Sequence, residues 1–267
     1  TFVELKPQDE NKIVDFNTIL QKNSRTPKHQ FTATIKSIKY IGKEDVYDTT
    51  QEDYHSLIFN GIVTGNCTEI SQLQEISDIH PYLESSKDKI GRDVVCTLGS
   101  LNLVNVVEKG LLEDSVSIGF ESLARVTQHM YIPSLPSVQK ANDELRAVGI
   151  GSMNLAGLLA KNQISYGSKQ ALDLINSLYS AIMYQTLKTN NKLAKNYGSF
   201  KGFEKSEYAN GNFFKQYINK SHEPTTKKAK EVLKNVYIPT QEDWEKLSKE
   251  VKETGLYSAY SKAEAPY

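Results

Sequence analysis

Cysteine is scarce in this chain: 267 residues contain two, Cys67 and Cys96. That is too few for a disulfide scaffold and fits a reducing cytosol. Excess charge is lacking too. Lys and Arg total 32 and Asp and Glu total 32, so nothing global draws the chain to nucleic acid or to a membrane surface. No apolar run approaches the roughly 20 residues that span a bilayer. Thr1-Phe2-Val3-Glu4 has neither the basic start nor the apolar core of a secretory signal. The five histidines show no metal-ligand spacing. Internal repeats and low-complexity tracts are missing. What remains is long enough for one large domain or two ordinary ones. A start at Thr1 without Met, and an end at Ala265-Pro266-Tyr267, read as a piece of something longer.

What is present centres on one junction, Asn60-Gly61-Ile62-Val63-Thr64-Gly65-Asn66-Cys67-Thr68-Glu69. An asparagine amide can attack its own backbone carbonyl, form a succinimide and cleave the chain. A following thiol can accept an acyl group, because its thiolate is a good nucleophile. Cys67 and Glu69 also place a thiol and a carboxylate two residues apart. The junction thus suggests peptide-bond chemistry on its left and a thiol-based active site on its right.

The pattern changes at the same place. Residues 31–66 read as β, with alternation over Phe31 to Tyr40, a turn at Gly42-Lys43 and a short strand over Val46 to Thr50. Leu57-Ile58-Phe59 and Ile62-Val63 flank Asn60-Gly61, a strong hairpin signal. Residues 1–30 are polar, with a short helix expected over Lys12 to Gln21 and a loop over Asn23 to Gln30. After Cys67 the spacing is mainly helical. A helix is expected over Ser115 to Met130, capped by Asp114 or Ser115. Ile132 to Pro136 is expected to be extended. Ser137 is expected to cap a helix running through Ala147. Further helices are expected over Leu155 to Ala160, over Lys169 to Asn196 ending at Gly198, and over Glu242 to Thr254 closed by Gly255. The longest carries Leu172, Ile175, Leu178, Tyr179, Ile182, Leu187 and Leu193 as an apolar stripe. The Lys-rich run Thr225 to Lys234 reads as a solvated helix face.

Residues 31–66 resemble the C-terminal segment of an intein, a self-splicing element with a Hint-type β fold. The match lies in Val46-Tyr47-Asp48, in His55, and in Asn60 to Asn66 followed by Cys67. The resemblance implies that Asp48 tunes the branched intermediate and that His55 assists asparagine cyclisation by proton transfer. It further implies that Asn66 cyclises and cleaves, and that Cys67 accepts the transesterification as the first residue downstream. Most inteins carry His before the terminal Asn. Here Gly65 stands there, which shifts weight to His55. The family's own N-terminal nucleophile is not in this sequence, so this chain alone is not expected to perform the first acyl shift; it reads either as the C-terminal half of a split intein acting in trans or as a truncated sequence.

From Cys67 onward the chain resembles the catalytic subunit of class Ib ribonucleotide reductase. The matching stretches are Cys67-Thr68-Glu69-Ile70, Cys96 to Leu103, Pro136-Ser137-Val138, Ala147 to Leu155 and Tyr166-Gly167-Ser168. Gly202 to Ala209 and Ile238 to Trp244 continue the series in order. The resemblance implies a mainly helical α/β segment, residues 67–267, of a ten-stranded barrel. It implies that Cys67 carries a transient thiyl radical, that Glu69 is the base on the substrate's 3′-hydroxyl, and that Cys96 is one of two reducing thiols. Residues two apart on an extended segment share a face, so Cys67 and Glu69 can reach one sugar.

The resemblance also implies partners: a ribonucleoside diphosphate substrate, a small radical-generating subunit that supplies the radical from its metal cofactor, a second large subunit, and a glutaredoxin-like reductant. No cofactor is expected on this chain, and the allosteric nucleotide site lies outside this segment. The setting expected is the cytoplasm of a bacterial or phage-infected cell, with no membrane or direct nucleic-acid contact. Two alternatives stay open, a trans-splicing module with residues 67–267 as passenger and an inactive gene fragment. Gly149-Ile150-Gly151 is expected to lack the strand–helix context of a dinucleotide loop, has no third glycine, and is read as close backbone packing near the barrel.

Overall fold

In a computed structural model of the chain, residues 56–59, 62–65, 72–80, 82–95 and 97–259 are described. The chain divides into two compact units, Thr1–Thr68 and Glu69–Tyr267. In the first unit, β1 (Ser56–Phe59) pairs antiparallel with β2 (Ile62–Gly65), in register from Ser56↔Gly65 to Phe59↔Ile62. Two residues, Asn60 and Gly61, separate the strands, the length of a tight hairpin connection. The elements expected before Ser56 lie outside the described residues.

In the second unit, β3 (Thr97–Asn102) and β4 (Val148–Met153) pair in parallel, from Thr97↔Val148 to Asn102↔Met153. Parallel neighbours need a long crossover. It is supplied by α1 (Leu103–Glu108), α2 (Leu112–His129) and α3 (Pro136–Leu145). Then follow α4 (Leu155–Lys161), α5 (Lys169–Tyr197), α6 (Glu207–Asn210), α7 (Lys215–Ile218), α8 (Lys227–Val232) and α9 (Gln241–Thr254).

Helix α5 is the hub. Ser168 Oγ accepts from the Ala171 N–H at its start, and Gly198 ends it. Leu174, Leu178 and Leu187 are wholly buried in one core with Val116, Phe120, Val148, Leu158, Trp244 and Val251. Each such side chain contributes about 1.5–3 kcal/mol by leaving water. The expected stripe is too narrow, and Leu172 is 61% exposed. The buried surface is completed by Ser177, Ser180, Thr186, Asn190 and Asn191, polar residues that a hydrophobicity pattern passes over.

Two of these polar residues hold the following segment. The Asn190 amide donates to the Ser258 carbonyl (2.9 Å) and accepts from the Ser258 N–H (2.9 Å). Asn191 Nδ2 donates to the Gly255 carbonyl (2.8 Å) and to Thr254 Oγ1 (2.7 Å). Helix α9 begins at Gln241, one residue before the expected Glu242, on a reciprocal cap between Thr240 and Asp243, and ends at Gly255 as expected. A side chain at Gly255 would strike Ser199 Oγ, and its φ of 80° favours glycine independently.

Three expectations need correction. Helix α2 begins at Leu112, not at Ser115. Its N-cap, Leu111, makes no side-chain bond, and Glu113 and Asp114 lie inside the first turn, where a negative charge suits the helix dipole. Ile132 to Pro136 is not extended throughout: a turn closes where the Leu135 N–H donates to the Ile132 carbonyl (3.1 Å). Helix α3 starts on Pro136 at its first turn rather than on a Ser137 cap, and stops at Leu145 because Arg146 is left-handed (φ 48°, ψ 42°). The Lys-rich run is borne out as a solvated face: Lys227, Lys230 and Lys234 are exposed on or beside α8.

Candidate active site

The residues assigned chemistry from the sequence, Cys67, Glu69 and Cys96 for a thiol site and Asp48, His55, Asn66 and Cys67 for splicing, all lie outside the described residues. Their flanks do not. Strand β2 ends at Gly65, one residue before Asn66. Strand β3 begins at Thr97, one residue after Cys96. Gln72 follows Glu69 by three residues.

The arms 72–78 and 89–95 run antiparallel. Asp78 and Lys89 exchange both backbone hydrogen bonds (2.9 and 2.9 Å), as do Glu75 and Arg92 (2.9 and 3.0 Å). One step further, a side chain takes over. Gln72 Nε2 donates to the Val95 carbonyl (2.5 Å), and its Oε1 accepts from the Val95 N–H (3.4 Å). The arms approach so closely at Gly91 that a Cβ there would run into the Glu75 carbonyl oxygen. The chain from Gln72 to Asp78 therefore lies against the chain from Lys89 to Val95.

Charge anchors this pair of arms to α3. The Arg92 guanidinium is 4% exposed and donates to Glu75 Oε1 (2.7 Å) and Glu144 Oε2 (3.0 Å). Lys140 reaches Glu75 (3.0 Å) and the Ile90 carbonyl (2.7 Å), and Lys201 reaches Glu144 (2.7 Å). The Lys140 hydrogen bond holds the Glu75 carboxyl below its usual value, with Arg92 adding to the effect.

The β3–β4 pair has two unlike faces. Val148 and Ile150 are buried in the core beside the partly buried Leu101. Gly99 on the same face leaves room for Leu123 of α2. Tyr179 of α5 hydrogen-bonds Ser152 through its hydroxyl. On the other face Leu98 (48%) and Met153 (39%) are exposed, as is Ser100. Register places Gly149 and Gly151 on that second face. Gly149-Ile150-Gly151 is therefore part of a strand. A helix does follow it, contrary to expectation, but the glycines lie in the ladder and not in a phosphate-cradling turn.

A cavity of about 240 Å³ opens beside Gln72, bounded by Leu73, Leu145, Phe200, Lys205 and Ala259. Among the described residues no group of His, Cys, Asp and Glu has a metal-binding arrangement, and no helix is long and apolar enough to cross a membrane. Other shifted acids lie elsewhere. Burial pushes the Asp173 carboxyl up, but hydrogen bonds from the backbone and hydroxyls of Thr226 and Thr225 outweigh it and hold it below 3.8. The Gln72–Val95 pairing, the Arg92 anchor and the Asn190 clamp were not foreseen from sequence. Each joins residues 17 to 68 positions apart through a polar side chain, and no local spacing signals that.

A family model described as ribonucleotide reductase, barrel domain, matches residues 16–267. The chain belongs to that family. Among its relatives, ribonucleoside-diphosphate reductase NrdEB subunit alpha of Bacillus subtilis strain 168 is 42% identical over 267 residues, all of this chain and 24% of the relative. Ribonucleoside-diphosphate reductase subunit alpha of the same strain is 36% identical over 201 residues, 75% of this chain and 28% of the relative. The subunit alpha of Mycoplasma pneumoniae is 37% identical over 214 residues, 78% of this chain and 29% of the relative. The chain thus spans about a quarter of the length of the relatives it matches.

Proposed function

We propose that residues 67–267 form part of the catalytic barrel of a class Ib ribonucleoside-diphosphate reductase large subunit. The observation that carries this reading is the Gln72–Val95 pairing. It binds the segment that follows Cys67 and Glu69 to the segment that leads into Cys96. Register puts Leu98 and Ser100 on the open face of β3, beside Gly149 and Gly151. Gly149 and Gly151 leave that face without bulk, which suits a sugar lying over the strands.

In this reading the Cys67 thiyl takes the substrate's 3′-hydrogen and Glu69 takes the 3′-hydroxyl proton. Cys96 and a partner thiol from elsewhere in the enzyme supply two electrons and close to a disulfide as the 2′-hydroxyl leaves as water. The small subunit's metal cofactor supplies the radical. A second large subunit and a glutaredoxin-like reductant complete the enzyme. A cytoplasmic setting in a bacterial or phage-infected cell fits its bacterial and phage relatives. In a rebuilt full-length enzyme, Cys67→Ser, Glu69→Gln and Cys96→Ser each abolish turnover. Full turnover by any one of them removes that residue from the mechanism.

The second half of the proposal concerns the junction. Residues up to Asn66 are the C-terminal end of an intein, and its excision joins Cys67 to an upstream segment. The motif residues Asp48, His55 and Asn66 support this. The family match from residue 16 runs through the same stretch, so splicing rests on the motif and on its test. Intact-mass spectrometry after incubation with thiol should yield a product beginning at Cys67, and Asn66→Ala should remove it. If an added N-terminal intein half also releases nothing, the junction is inert.

A further inference from the structure

Outside the proposed site lies one continuous aromatic path from the core to solvent. Trp244 on α9 is the chain's single tryptophan and is 1% exposed. Tyr217 of α7 stacks on it, with ring centroids 4.0 Å apart and planes 14° from parallel. Tyr184 of α5 meets it edge-on at 5.2 Å. Tyr237, before α9, lies 6.2 Å beyond Tyr184 and is 45% exposed. The Tyr237 hydroxyl donates to Asp243 Oδ2 at 2.6 Å. The same oxygen accepts from the Thr240 N–H (2.8 Å) and hydroxyl (2.6 Å), which orient it.

We infer that Trp244, Tyr184 and Tyr237 form a one-electron relay that carries an oxidising hole from the core to the surface, where the Asp243 carboxylate takes the phenolic proton. The chemistry of the three stations sets the direction. The Trp244 indole N–H is buried with no hydrogen-bond partner among the described residues. An oxidised Trp244 therefore has no acceptor for its proton and stays a radical cation, a strong oxidant. Tyr184 has the Lys188 ammonium 5.9 Å from its ring centroid, and that charge opposes a hole resting there. Of the three stations, Tyr237 alone has a carboxylate in hydrogen-bond contact with its hydroxyl among the described residues.

The step balances. One electron passes from Tyr237 through Tyr184 to the Trp244 radical cation. The Tyr237 O–H bond breaks and an O–H bond forms on Asp243. Before the step the charges are one positive on Trp244 and one negative on Asp243; afterwards neutral Trp244, a neutral tyrosyl radical and a neutral carboxylic acid remain. The hole itself comes from a small oxidising radical, such as the carbonate radical anion, which becomes carbonate as Trp244 gives up one electron. A soluble thiol or ascorbate then returns a hydrogen atom to the exposed Tyr237 oxygen, and Asp243 releases its proton to water. The relay drains oxidising equivalents to a place where small reductants can meet them, and it stands apart from the reductase reading.

Flash photolysis of the 267-residue chain tests this, with light absorbed by tryptophan alone, the ejected electron scavenged by nitrous oxide and the hydroxyl radical so formed consumed by tert-butanol. Transient absorption should show the tryptophan radical decaying as a tyrosyl radical grows. Tyr237→Phe, which keeps the ring, should abolish that growth and slow the decay by about tenfold or more. Asp243→Asn and heavy water should each slow the same step. An unchanged decay in Tyr237→Phe overturns the relay. So does a tyrosyl signal that persists in that variant, which would make the stacked Tyr217 the sink. Should Asp243→Asn loosen the start of α9, Tyr237→Phe and the heavy-water comparison decide alone.

Discussion

The Gln72 side chain does for Val95 what a backbone would do in a β ladder, donating to its carbonyl and accepting from its N–H. The pairs Asp78–Lys89, Glu75–Arg92 and Gln72–Val95 step evenly along the two arms, three residues at a time. Gln72→Leu keeps the bulk and removes both bonds, which should cost about 1–3 kcal/mol. Amide exchange at Val95 should rise with it. Unchanged protection there would mean that the side chain is not holding the strand.

Arg92 spans two carboxylates from a nearly solvent-free position. Arg92→Met should destabilise by about 3 kcal/mol, the low end for a broken buried pair, because Lys140 and Lys201 still reach Glu75 and Glu144. Arg92→Lys should recover only part of it, since one ammonium lacks the planar fork that serves both acids. Thermal unfolding of the three proteins gives the order; a lysine variant as stable as the parent would refute the forked geometry.

Asp173 gives a pH signature. Its folded-state pKa lies below the ordinary 3.8. The carboxylate's bonds to Thr225 and Thr226 therefore add stability above the unfolded pKa and withdraw it as pH falls through the folded value. Asp173→Asn should flatten that part of the stability–pH curve and lower the plateau near neutral pH. Parallel curves for the two proteins would dismiss the assignment.

Asn190 is wholly buried and meets both polar groups of Ser258. Asn190→Leu strands them without water and should cost about 3 kcal/mol. The loosening should begin at residues 255–259, visible as faster amide exchange there than in α5. Uniform loss across the unit would show that the amide supports the core in general and not this segment.

Part of this was legible in the sequence. Helix α9 could be read because its amphipathic spacing runs up to Gly255, and α5 because its apolar stripe runs up to Gly198. The hairpin of β1 and β2 was legible because Asn60-Gly61 lies between apolar runs. The start of α2 was missed because Leu111 offers no capping side chain; burial of Leu112 and Val116 fixes that end instead. The end of α3 was missed because Arg146 takes a left-handed conformation usually left to glycine. Of the site, the chemical residues were named from motifs, but their scaffold was not. Gln72, Arg92 and Glu144 are unremarkable in composition, and only the long-range fold brings them into register.

The position of Trp244 has a practical side. A lone indole, shut away from water and stacked on Tyr217, is a built-in optical gauge of the packing between α5 and α9. Its emission should be blue-shifted in the folded chain and move to the red as that seam opens, so the intactness of the core can be followed without attaching a dye.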